Sequence, residues 1–422
     1  MSHPSTLSHN LCILPHDMSA TKYNPKYSPG LLKQIYILLL DNLVGLLRVL
    51  RGFPKFFLDY LKSWVFGSPL PSTIMGLLDL KCFNHVSNRK AVSVSLAEQK
   101  EQHANSTDRA WFRVRFEGDS EDTFVFAKCQ ARNFFVCTIM SIFNVYSNEL
   151  TAYASLDMGI KLPQVIGAKQ SPSRFVLILE DLAKRQVEFP NIWSKHVGVE
   201  LGKKVLTTLA TIHAKFWEKS PAQVWNEENR PYYGLGMGMF TLFNVERTCK
   251  SGLIPKEIHD VYMQALWHWV EYRAYQSRSQ PKTMCHGDSH MGNFYIERNG
   301  EIGTVDFQVL SEENPMRDVA YFLSSSFDPD LLQVHEQEMI RFYLDELKRL
   351  GVKNNLPTFD QAWYSYRMQL FAVLYAFVFS GGFANLMDSV QTNCGVERIV
   401  RVMQRVDSTG ALYQMLDGKE LA

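Results

Sequence analysis

Two short polar segments flank a stretch that has the pattern of a β-hairpin. Residues 286–293 read HGDSHMGN, and residues 306–308 read DFQ. Between them, residues 294–305 are apolar at both ends and carry Asn299-Gly300 near the middle. Asn-Gly between apolar segments is the strongest short-range signal for a two-residue type I′ turn. We therefore predict a hairpin whose two ends bring polar side chains together.

The predicted turn also determines which residues oppose each other. If Asn299 and Gly300 form the loop, Asn293 lies opposite Asp306. Directly opposed Cβ atoms are about 4.5–5.5 Å apart, so an amide and a carboxylate would face one cation from neighbouring strands. Mg²⁺ suits such a site, because it takes few protein oxygens and keeps its other positions for water or phosphate. A shift of one residue would put the two side chains on opposite faces, so the predicted metal site depends on this turn.

Three oxygen-bearing side chains in these segments match the needs of phosphoryl transfer from ATP. One carboxylate has to accept the proton of the attacking hydroxyl, and an amide and a second carboxylate have to hold the magnesium that bridges the phosphates. In chain order, Asp288 fits the base, and Asn293 and Asp306 fit the metal ligands. ATP and Mg²⁺ are therefore the predicted cofactors.

Residues 128–323 resemble the aminoglycoside phosphotransferase and choline kinase superfamily, and within it the ecdysteroid-kinase-like (CHK-like) branch. The likeness is carried by His-Gly-Asp at 286–288, by Asn293, by Asp-Phe-Gln at 306–308 and by RDVAYFL at 317–323. The resemblance implies an α+β, two-lobed protein-kinase-like fold, with a small antiparallel-sheet N-lobe and a mostly helical C-lobe. It also implies transfer of the ATP γ-phosphate to a hydroxyl of a small molecule.

In protein kinases, the lysine that binds the α- and β-phosphates ends a strand that reads Val-Ala-Ile-Lys. Lys128 ends the apolar segment 124–127 in the same way. A buried ammonium needs a carboxylate partner to keep its charge, and Glu149, in the predicted helix 147–156, is the expected one. Both residues are expected to serve ATP binding.

The other expected nucleotide contacts lie in a loop and at a hinge. The loop, about residues 99–109, has no glycine, so Ser106 and Thr107 are expected to offer hydroxyls to the β-phosphate; an ordinary polar turn is the alternative. The resemblance places the hinge that contacts adenine at Glu180–Leu182, through the backbone of Glu180 and Leu182. It also implies an N-lobe at residues 71–180 and a C-lobe at residues 181–422.

The N-terminal part of the chain has a different composition. Residues 1–30 are polar and are predicted to form a flexible tail, and residues 31–70 to form an apolar or amphipathic helical extension with a break or kink at Pro54. Polar residues recur every seventh position on one stripe, at Gln34, Asp41, Arg48, Lys55 and Lys62. Three placements stay open for residues 31–66: on a membrane surface, on a protein surface, or across a membrane.

Composition excludes some functions and favours one compartment. Lys and Arg number 44 against 43 Asp and Glu, which gives no electrostatic case for nucleic acid. The seven cysteines are odd in number and scattered, so we expect reduced thiols in a cytoplasmic protein that is also a candidate for membrane association.

The acceptor is predicted from aromatic residues late in the chain. They favour a lipophilic alcohol such as a steroid, with a purely structural role in the core as the alternative: Trp363, Tyr364, Tyr366, Phe371, Tyr375, Phe377 and Phe383. For the whole protein, the alternative to a small-molecule kinase is a catalytically inactive, kinase-shaped binding or scaffold protein at a membrane.

Overall fold

The computed structural model describes residues 22–97, 102–104, 106–190, 197–221, 245–252, 254–279, 281–382 and 389–419. Three parts of the predictions lie outside these ranges: residues 1–21 of the tail, Phe383, and residues 98–101 and 105 around the predicted phosphate loop.

The strands form one large sheet and two small ones. In chain order they are β1 (Ala91–Leu96), β2 (Gln102–Ala104), β3 (Thr107–Phe116), β4 (Thr123–Gln130), β5 (Val165–Ser171), β6 (Arg174–Glu180), β7 (Thr283–Cys285), β8 (Phe294–Ile296), β9 (Ile302–Thr304) and β10 (Ser311–Glu313). The large sheet has the order β1-β3-β4-β6-β5, with β2 added beside β3. Its neighbouring strands are all antiparallel. Strand β7 pairs with β10, and β8 pairs with β9.

Helices make up most of the rest. They are α1 (Leu31–Phe66), α2 (Leu80–Val86), α3 (Phe134–Ile142), α4 (Val145–Ser155), α5 (Val199–Lys215), α6 (Lys256–Trp267), α7 (Trp269–Arg278), α8 (Met316–Ser326), α9 (Pro329–Arg349), α10 (Phe359–Gly382), α11 (Ser389–Arg405) and α12 (Ser408–Leu416). We call β1–β6 with α2–α4 the sheet lobe, and the chain from Val199 onward the helical lobe. The α+β, two-lobed kinase-like fold predicted from the sequence is confirmed.

The sheet lobe follows the two-residue period of its strands. Phe112 and Val114 on β3 and Val125 and Ala127 on β4 are fully buried on one face of the sheet. Alternate residues point to the other face. Arg109 therefore stands beside its cross-strand partner Lys128 on the face away from this core.

The helical lobe is built around α8, whose residues are all buried. Its first turn follows Pro315, and it packs against α10 and α11. The N–H of His286 donates to Asp318 of this helix, and Asp306 lies beside Lys128 of the sheet lobe. The polar segments at 286–293 and 306–308 therefore lie between the buried helix and the sheet lobe.

The aromatic residues predicted to favour a lipophilic acceptor belong to this core. Tyr364, Tyr366, Phe371, Tyr375 and Phe377 are all buried among other apolar side chains of the helical lobe. Trp363 is partly buried and packs against the same cluster. Of the two interpretations of these residues, the structure supports the structural role in the core, because their spacing fills a helix interface.

Helix α1 is unbroken for 36 residues, although the sequence predicts a break or kink at Pro54. Proline removes one backbone N–H, which frees the carbonyl four residues earlier, at Leu50. Leu50 is exposed, so water can satisfy that carbonyl. No helix within the described residues is long and apolar enough to cross a membrane.

Helix α1 contacts both lobes. Near its start, Lys33 forms an ion pair with Glu271 of the helical lobe. Near its end, the Asp59 carboxylate accepts hydrogen bonds from the Ser171 hydroxyl at 2.7 Å and from the Ser173 N–H at 2.9 Å, in the β5–β6 turn of the sheet lobe. One helix therefore spans from one lobe to the other.

Residues 22–30, which the sequence assigns to the flexible tail, contact the end of the chain. The ring of Tyr27 stacks on that of Tyr413 with their centroids 4.2 Å apart. The N–H of Asn24 donates to the Tyr413 hydroxyl at 2.8 Å, and Lys26 pairs with Asp417 at 3.2 Å. The ordered chain thus begins before residue 31.

Candidate active site

A buried carboxylate holds the loop that follows β7. The Asp318 side chain accepts from the N–H of His286 at 2.6 Å and from the N–H of Gly287 at 2.9 Å. It also contacts Nε2 of His213 at 3.1 Å, and Nδ1 of that ring contacts the Tyr343 hydroxyl at 2.7 Å. A neutral imidazole protonated on Nε2 satisfies both of these contacts.

The environment of Asp318 favours its ionised form. Burial opposes ionisation, but the hydrogen bonds from His213 and from the N–H of Gly287 outweigh it and lower the pKa of Asp318. Asp318 therefore ties down the segment 286–293, but it does not cap its own helix, which begins after Pro315 without a side-chain cap.

Gly287 lies at the turn from β7 into the segment 286–293, which carries the predicted base. Its φ of +83° lies in the left-handed region, and a Cβ at this position would lie 2.3 Å from the carbonyl oxygen of Val309. Any side chain would be strained twice, by the backbone angle and by the contact. The second residue of the His-Gly-Asp triplet is therefore fixed by backbone geometry.

His286 joins the first polar segment, 286–293, to the second one. Its Nε2 lies 3.0 Å from the carbonyl oxygen of Val305, and its Nδ1 accepts from the N–H of Asp288 at 3.3 Å. Its ring also lies against Phe307, with the centroids 4.7 Å apart. These contacts use both ring nitrogens, so His286 positions the loop and has no nitrogen left for proton transfer to a substrate.

Asp288 and Asn293 contact each other. The amide nitrogen of Asn293 donates to the backbone carbonyl of Asp288 at 2.7 Å and to its Oδ2 at 3.2 Å. This orientation leaves the amide oxygen of Asn293 as the atom that would bind a cation. Asp288 is about a third exposed, and its Oδ2 lies 3.7 Å from Nε2 of His290.

The hairpin between the two polar segments differs from the prediction by one residue. Ile296 pairs with Ile302, so the loop contains three residues between Glu297 and Glu301. Gly300 has a φ of +81°, and Asn299 does not have a positive φ. A type I turn followed by a left-handed glycine is the usual three-residue alternative to the predicted type I′ turn.

This register places Val305, not Asp306, opposite Asn293, since the Val305 N–H donates to the Asn293 carbonyl at 2.9 Å. In a continuous strand such a shift would turn Asp306 to the other face. Strand β9 ends at Thr304, however, and Asp306 has a left-handed φ of +68°. The alternation of faces therefore does not extend to Asp306.

Asp306 lies beneath two cations of the sheet lobe. Its Oδ1 is 3.4 Å from Nζ of Lys128, and its Oδ2 is 3.6 Å from a terminal nitrogen of Arg109. Burial opposes ionisation, but the charges of Lys128 and Arg109 outweigh it and lower the pKa of Asp306. Its backbone N–H donates to the Tyr153 hydroxyl at 3.2 Å.

Lys128 and Glu149 form a buried ion pair. Nζ of Lys128 lies 2.6 Å from Oε1 of Glu149, and the Glu149 side chain is inaccessible to solvent. Burial raises the pKa of Glu149, against the lowering effect of Lys128. Gln308 reaches the other carboxylate oxygen of Glu149 from the second polar segment, at 3.4 Å.

The residues predicted to contact phosphate or adenine have other contacts in the structure. Thr107 is buried at the start of β3, and its hydroxyl accepts from Nε of Arg109 at 3.0 Å. Ser106, at the β2–β3 hairpin tip, accepts from the Tyr146 hydroxyl at 3.0 Å through its backbone carbonyl. Thr107 therefore lies inside the lobe, and Ser106 is the more accessible of the two.

At the hinge, two backbone N–H groups are engaged within the sheet lobe. The Glu180 N–H donates to the backbone carbonyl of Gln164 at 2.9 Å, and the Asp181 N–H donates to the backbone carbonyl of Phe124 at 3.1 Å. The Glu180 side chain accepts from Arg185 at 2.7 Å, and Leu182 is buried. The Glu180 carbonyl and the Leu182 N–H are therefore the groups that the predicted adenine contact would use.

Two residues of the site were not identified from the sequence. Arg109 lies beside Lys128 on the same face of the sheet. The sequence pattern that could have identified it is the two-residue alternation of β3, in which Ala110 and Phe112 point to the buried face and Arg109 to the other. His213 reaches Asp318 from α5. That contact joins residues 105 positions apart, so no local pattern indicates it.

The sequence of this chain is similar to that of a known protein family. Residues 237–354 match the sequence model of the ecdysteroid kinase-like family. The chain resembles that family. The match covers less than a third of the chain and includes the segment 286–293, the hairpin and Asp306. No curated protein matches the sequence significantly.

Solved structures of small-molecule kinases are similar to this chain at low sequence identity. Spectinomycin phosphotransferase, crystallised with ADP and spectinomycin, is 12% identical with a TM-score of 0.44, over 80% of this chain and 97% of that one. A choline/ethanolamine kinase family protein from Mesorhizobium loti is 13% identical with a TM-score of 0.41, over 75% and 92%. Choline kinase LicA from Streptococcus pneumoniae is 15% identical with a TM-score of 0.41, over 75% and 94%.

Proposed function

We propose that the protein transfers the γ-phosphate of ATP to a hydroxyl of a small molecule, in a reaction that depends on Mg²⁺. The observation that carries this proposal is the convergence of Lys128, Glu149 and Asp306 at one end of the site and of Asp288 and Asn293 at the other. His286 connects the two groups by hydrogen bonds. An anionic substrate with several phosphates needs such an arrangement of a cation, oxygen ligands and a base.

The donor set fits Mg²⁺. The amide oxygen of Asn293 and the carboxylate of Asp306 are both hard oxygen ligands, and the lowered pKa of Asp306 keeps it ionised at neutral pH. When bound there, the ion would supply positive charge to the phosphate oxygens. Lys128 and Arg109 would contribute further positive charge from the sheet lobe, and Glu149 would hold the Lys128 ammonium in place.

Asp288 is the proposed base. Its carboxylate takes the proton of the acceptor hydroxyl, the acceptor oxygen forms a bond to the γ-phosphorus, and the bond from that phosphorus to the bridging oxygen of ADP breaks. The products are a phosphomonoester and ADP. Asn293 and the Asp288 N–H contact with His286 fix the carboxylate, so that little reorganisation is needed during transfer.

For the acceptor we propose a lipophilic alcohol such as a steroid. The support for this finer assignment is the match to the ecdysteroid kinase-like family, since the aromatic residues that suggested it lie in the core. For the compartment we propose the cytoplasm, because the described cysteines are free thiols, three of them buried. Nucleic acid is not among the proposed partners.

The alternative of an inactive scaffold is separable by experiment. Purified protein is incubated with Mg-ATP and a panel of alcohols from polar to lipophilic, and products are detected as a mass gain of one phosphate. Activity with at least one alcohol, lost in Asp288→Asn while Mg-ATP still raises the melting temperature of both proteins, supports a kinase. Absence of any shift with Mg-ATP, in the wild type and in Asp306→Ala alike, would support the scaffold.

A further inference from the structure

Helix α1 presents an apolar face to solvent. Sixteen of the 26 exposed large hydrophobic side chains in the described chain lie on this one helix. Single exposed apolar residues are normal on a protein surface, but a contiguous patch of this size marks a surface that binds something apolar.

The exposed residues form a regular series on one side of α1. Leu32, Tyr36, Leu39, Leu43, Leu46 and Leu50 are all at least half exposed, and they follow one another at alternating steps of four and three residues. Residues at these steps share one face of a helix. Seven and fourteen positions after Leu50, Phe57 and Trp64 continue the series.

The opposite side of α1 is the side that contacts the protein. Phe56 is buried, with its ring 5.8 Å from that of Phe134, and a Cβ at Gly52 would touch Ile142. Asp59 is hydrogen-bonded to the β5–β6 turn. The apolar series therefore points away from the part of the chain that the structure describes, which is the reverse of an amphipathic helix that covers its own core.

The charges on this helix are mainly positive. The segment 31–66 contains five cations, Lys33, Arg48, Arg51, Lys55 and Lys62, and two acids, Asp41 and Asp59. Arg51, Lys55 and Lys62 are exposed, whereas Asp59 is occupied by Ser171 and Ser173. The exposed charge beside the apolar face, where described, is thus basic.

A groove that includes two lysines lies at the end of the helix. It has a volume of about 550 Å³ and is lined among others by Asp59, Lys62, Phe66 and Lys169. Phe66 is 84% exposed, and Trp64, two residues before it on α1, is 77% exposed. Exposed aromatic side chains next to cationic ones are typical of helices that lie at the boundary between lipid headgroups and acyl chains.

We propose that α1 binds the surface of a bilayer that contains anionic lipids, with its apolar face at the acyl boundary and Lys55 and Lys62 toward the headgroups. The helix is about 54 Å long, which allows many residues to enter the interface at once. A second copy of this chain is a poorer fit for this face. The apolar side is wider than the narrow seam of a coiled coil, because it also includes exposed Leu31, Ile35, Leu58 and Val65. In addition, two basic helices would repel each other.

The test is co-sedimentation of the full chain with vesicles of phosphatidylcholine, with and without phosphatidylserine. The variant Leu43→Glu/Leu50→Glu places two charges on the apolar face. The matched control, Val334→Glu/Val390→Glu, makes the same change at two exposed apolar positions of the helical lobe, which are 75% and 70% exposed. Circular dichroism and thermal unfolding establish that all three proteins are folded.

We expect the wild type and the control to bind vesicles with phosphatidylserine at least about tenfold more tightly than the Leu43/Leu50 variant, with weaker binding at high salt. Equal binding by all three proteins, or no binding by the wild type, would overturn the proposal. Equal wild-type binding to neutral and anionic vesicles would overturn the assignment to anionic lipid. A wild-type dimer that the variant converts to a monomer, without vesicle binding by either, would assign this face to a second copy instead. None of these readouts requires kinase activity.

Discussion

The ammonium of Lys128 and the carboxylate of Glu149 are 2.6 Å apart and almost completely removed from solvent, with 6% and 0% of their side chains exposed. The strand β4 supplies the cation and the helix α4 supplies the anion, so the pair fixes α4 against the sheet. Asp306 of the helical lobe is the second anion beside Lys128, at 3.4 Å. The pair therefore also determines how the two lobes meet at the site.

We expect Glu149→Gln to destabilise the fold and to weaken ATP binding. Removing one partner of a buried pair costs about 3–5 kcal/mol because the other charge stays buried, and Asp306 offsets part of that cost here. Denaturant unfolding and ATP titration measure the two effects. Glu117→Gln is the control, since Glu117 pairs with Lys90 at an exposed site. An equal loss of unfolding free energy in both variants would contradict this account.

Arg109→Gln should weaken ATP binding by about tenfold, because a hydrogen bond to a charged group contributes about 1.5–3 kcal/mol. The melting temperature without nucleotide should change little. Arg113→Gln on the same strand is the control, since Arg113 pairs with Asp122 away from the cleft. Calorimetric titration with Mg-ATP gives the affinities, and unchanged affinity in Arg109→Gln would exclude a phosphate contact by that side chain.

Asp318 should make the stability of the fold sensitive to acid. Its pKa is lowered in the folded state, so its stabilising effect is complete above the unfolded pKa of about 3.9 and is lost as the pH falls through the lower, folded value. Asp318→Asn should therefore be less stable than the wild type at pH 5–7, by about 3 kcal/mol, with a gap that narrows below pH 4. Urea unfolding at several pH values measures the gap. A gap that stays constant down to pH 2 would argue against this role, and Asp345→Asn, at an exposed position, should show none.

Gly287→Ala and Gly118→Ala separate two causes of strain. Both glycines have a left-handed φ, of +83° and +88°, but only at Gly287 would a Cβ meet a backbone atom within 3 Å. Gly118→Ala should lose about 1 kcal/mol of unfolding free energy from backbone strain alone. Gly287→Ala should lose clearly more unfolding free energy and reduce turnover, because the segment 286–293 has to shift. Similar losses in the two variants would show that the contact with Val309 relaxes without cost.

The parts of the site that follow local patterns could be predicted from the sequence. Lys128 ends an apolar strand, and Glu149 lies on the next helical segment but one, so secondary structure alone brings them near each other. The two-lobed fold was predicted from the family resemblance. The family match confirms that resemblance over residues 237–354. The roles of these residues in binding and catalysis remain predictions.

The predictions that failed depend on single-residue geometry or on packing. The Asn299-Gly300 pair permits a two-residue or a three-residue loop, and the sequence does not decide which of them is formed. Asp306 follows the end of the strand with a left-handed φ, and no pattern in the sequence indicates a left-handed aspartate. The sequence left two roles open for the aromatic residues of α10, because a helix interface and a ligand surface have the same composition.

The attachment of α1 to both lobes limits how the protein can move. Two-lobed proteins commonly open and close by rotating one lobe against the other about a hinge. In this chain Lys33 and Asp59 attach the same helix to the two lobes. Wide opening has to release one of these attachments or bend the helix between them, where Pro54 already omits a backbone hydrogen bond. Whatever holds this helix in place thereby also restrains the opening of the two lobes.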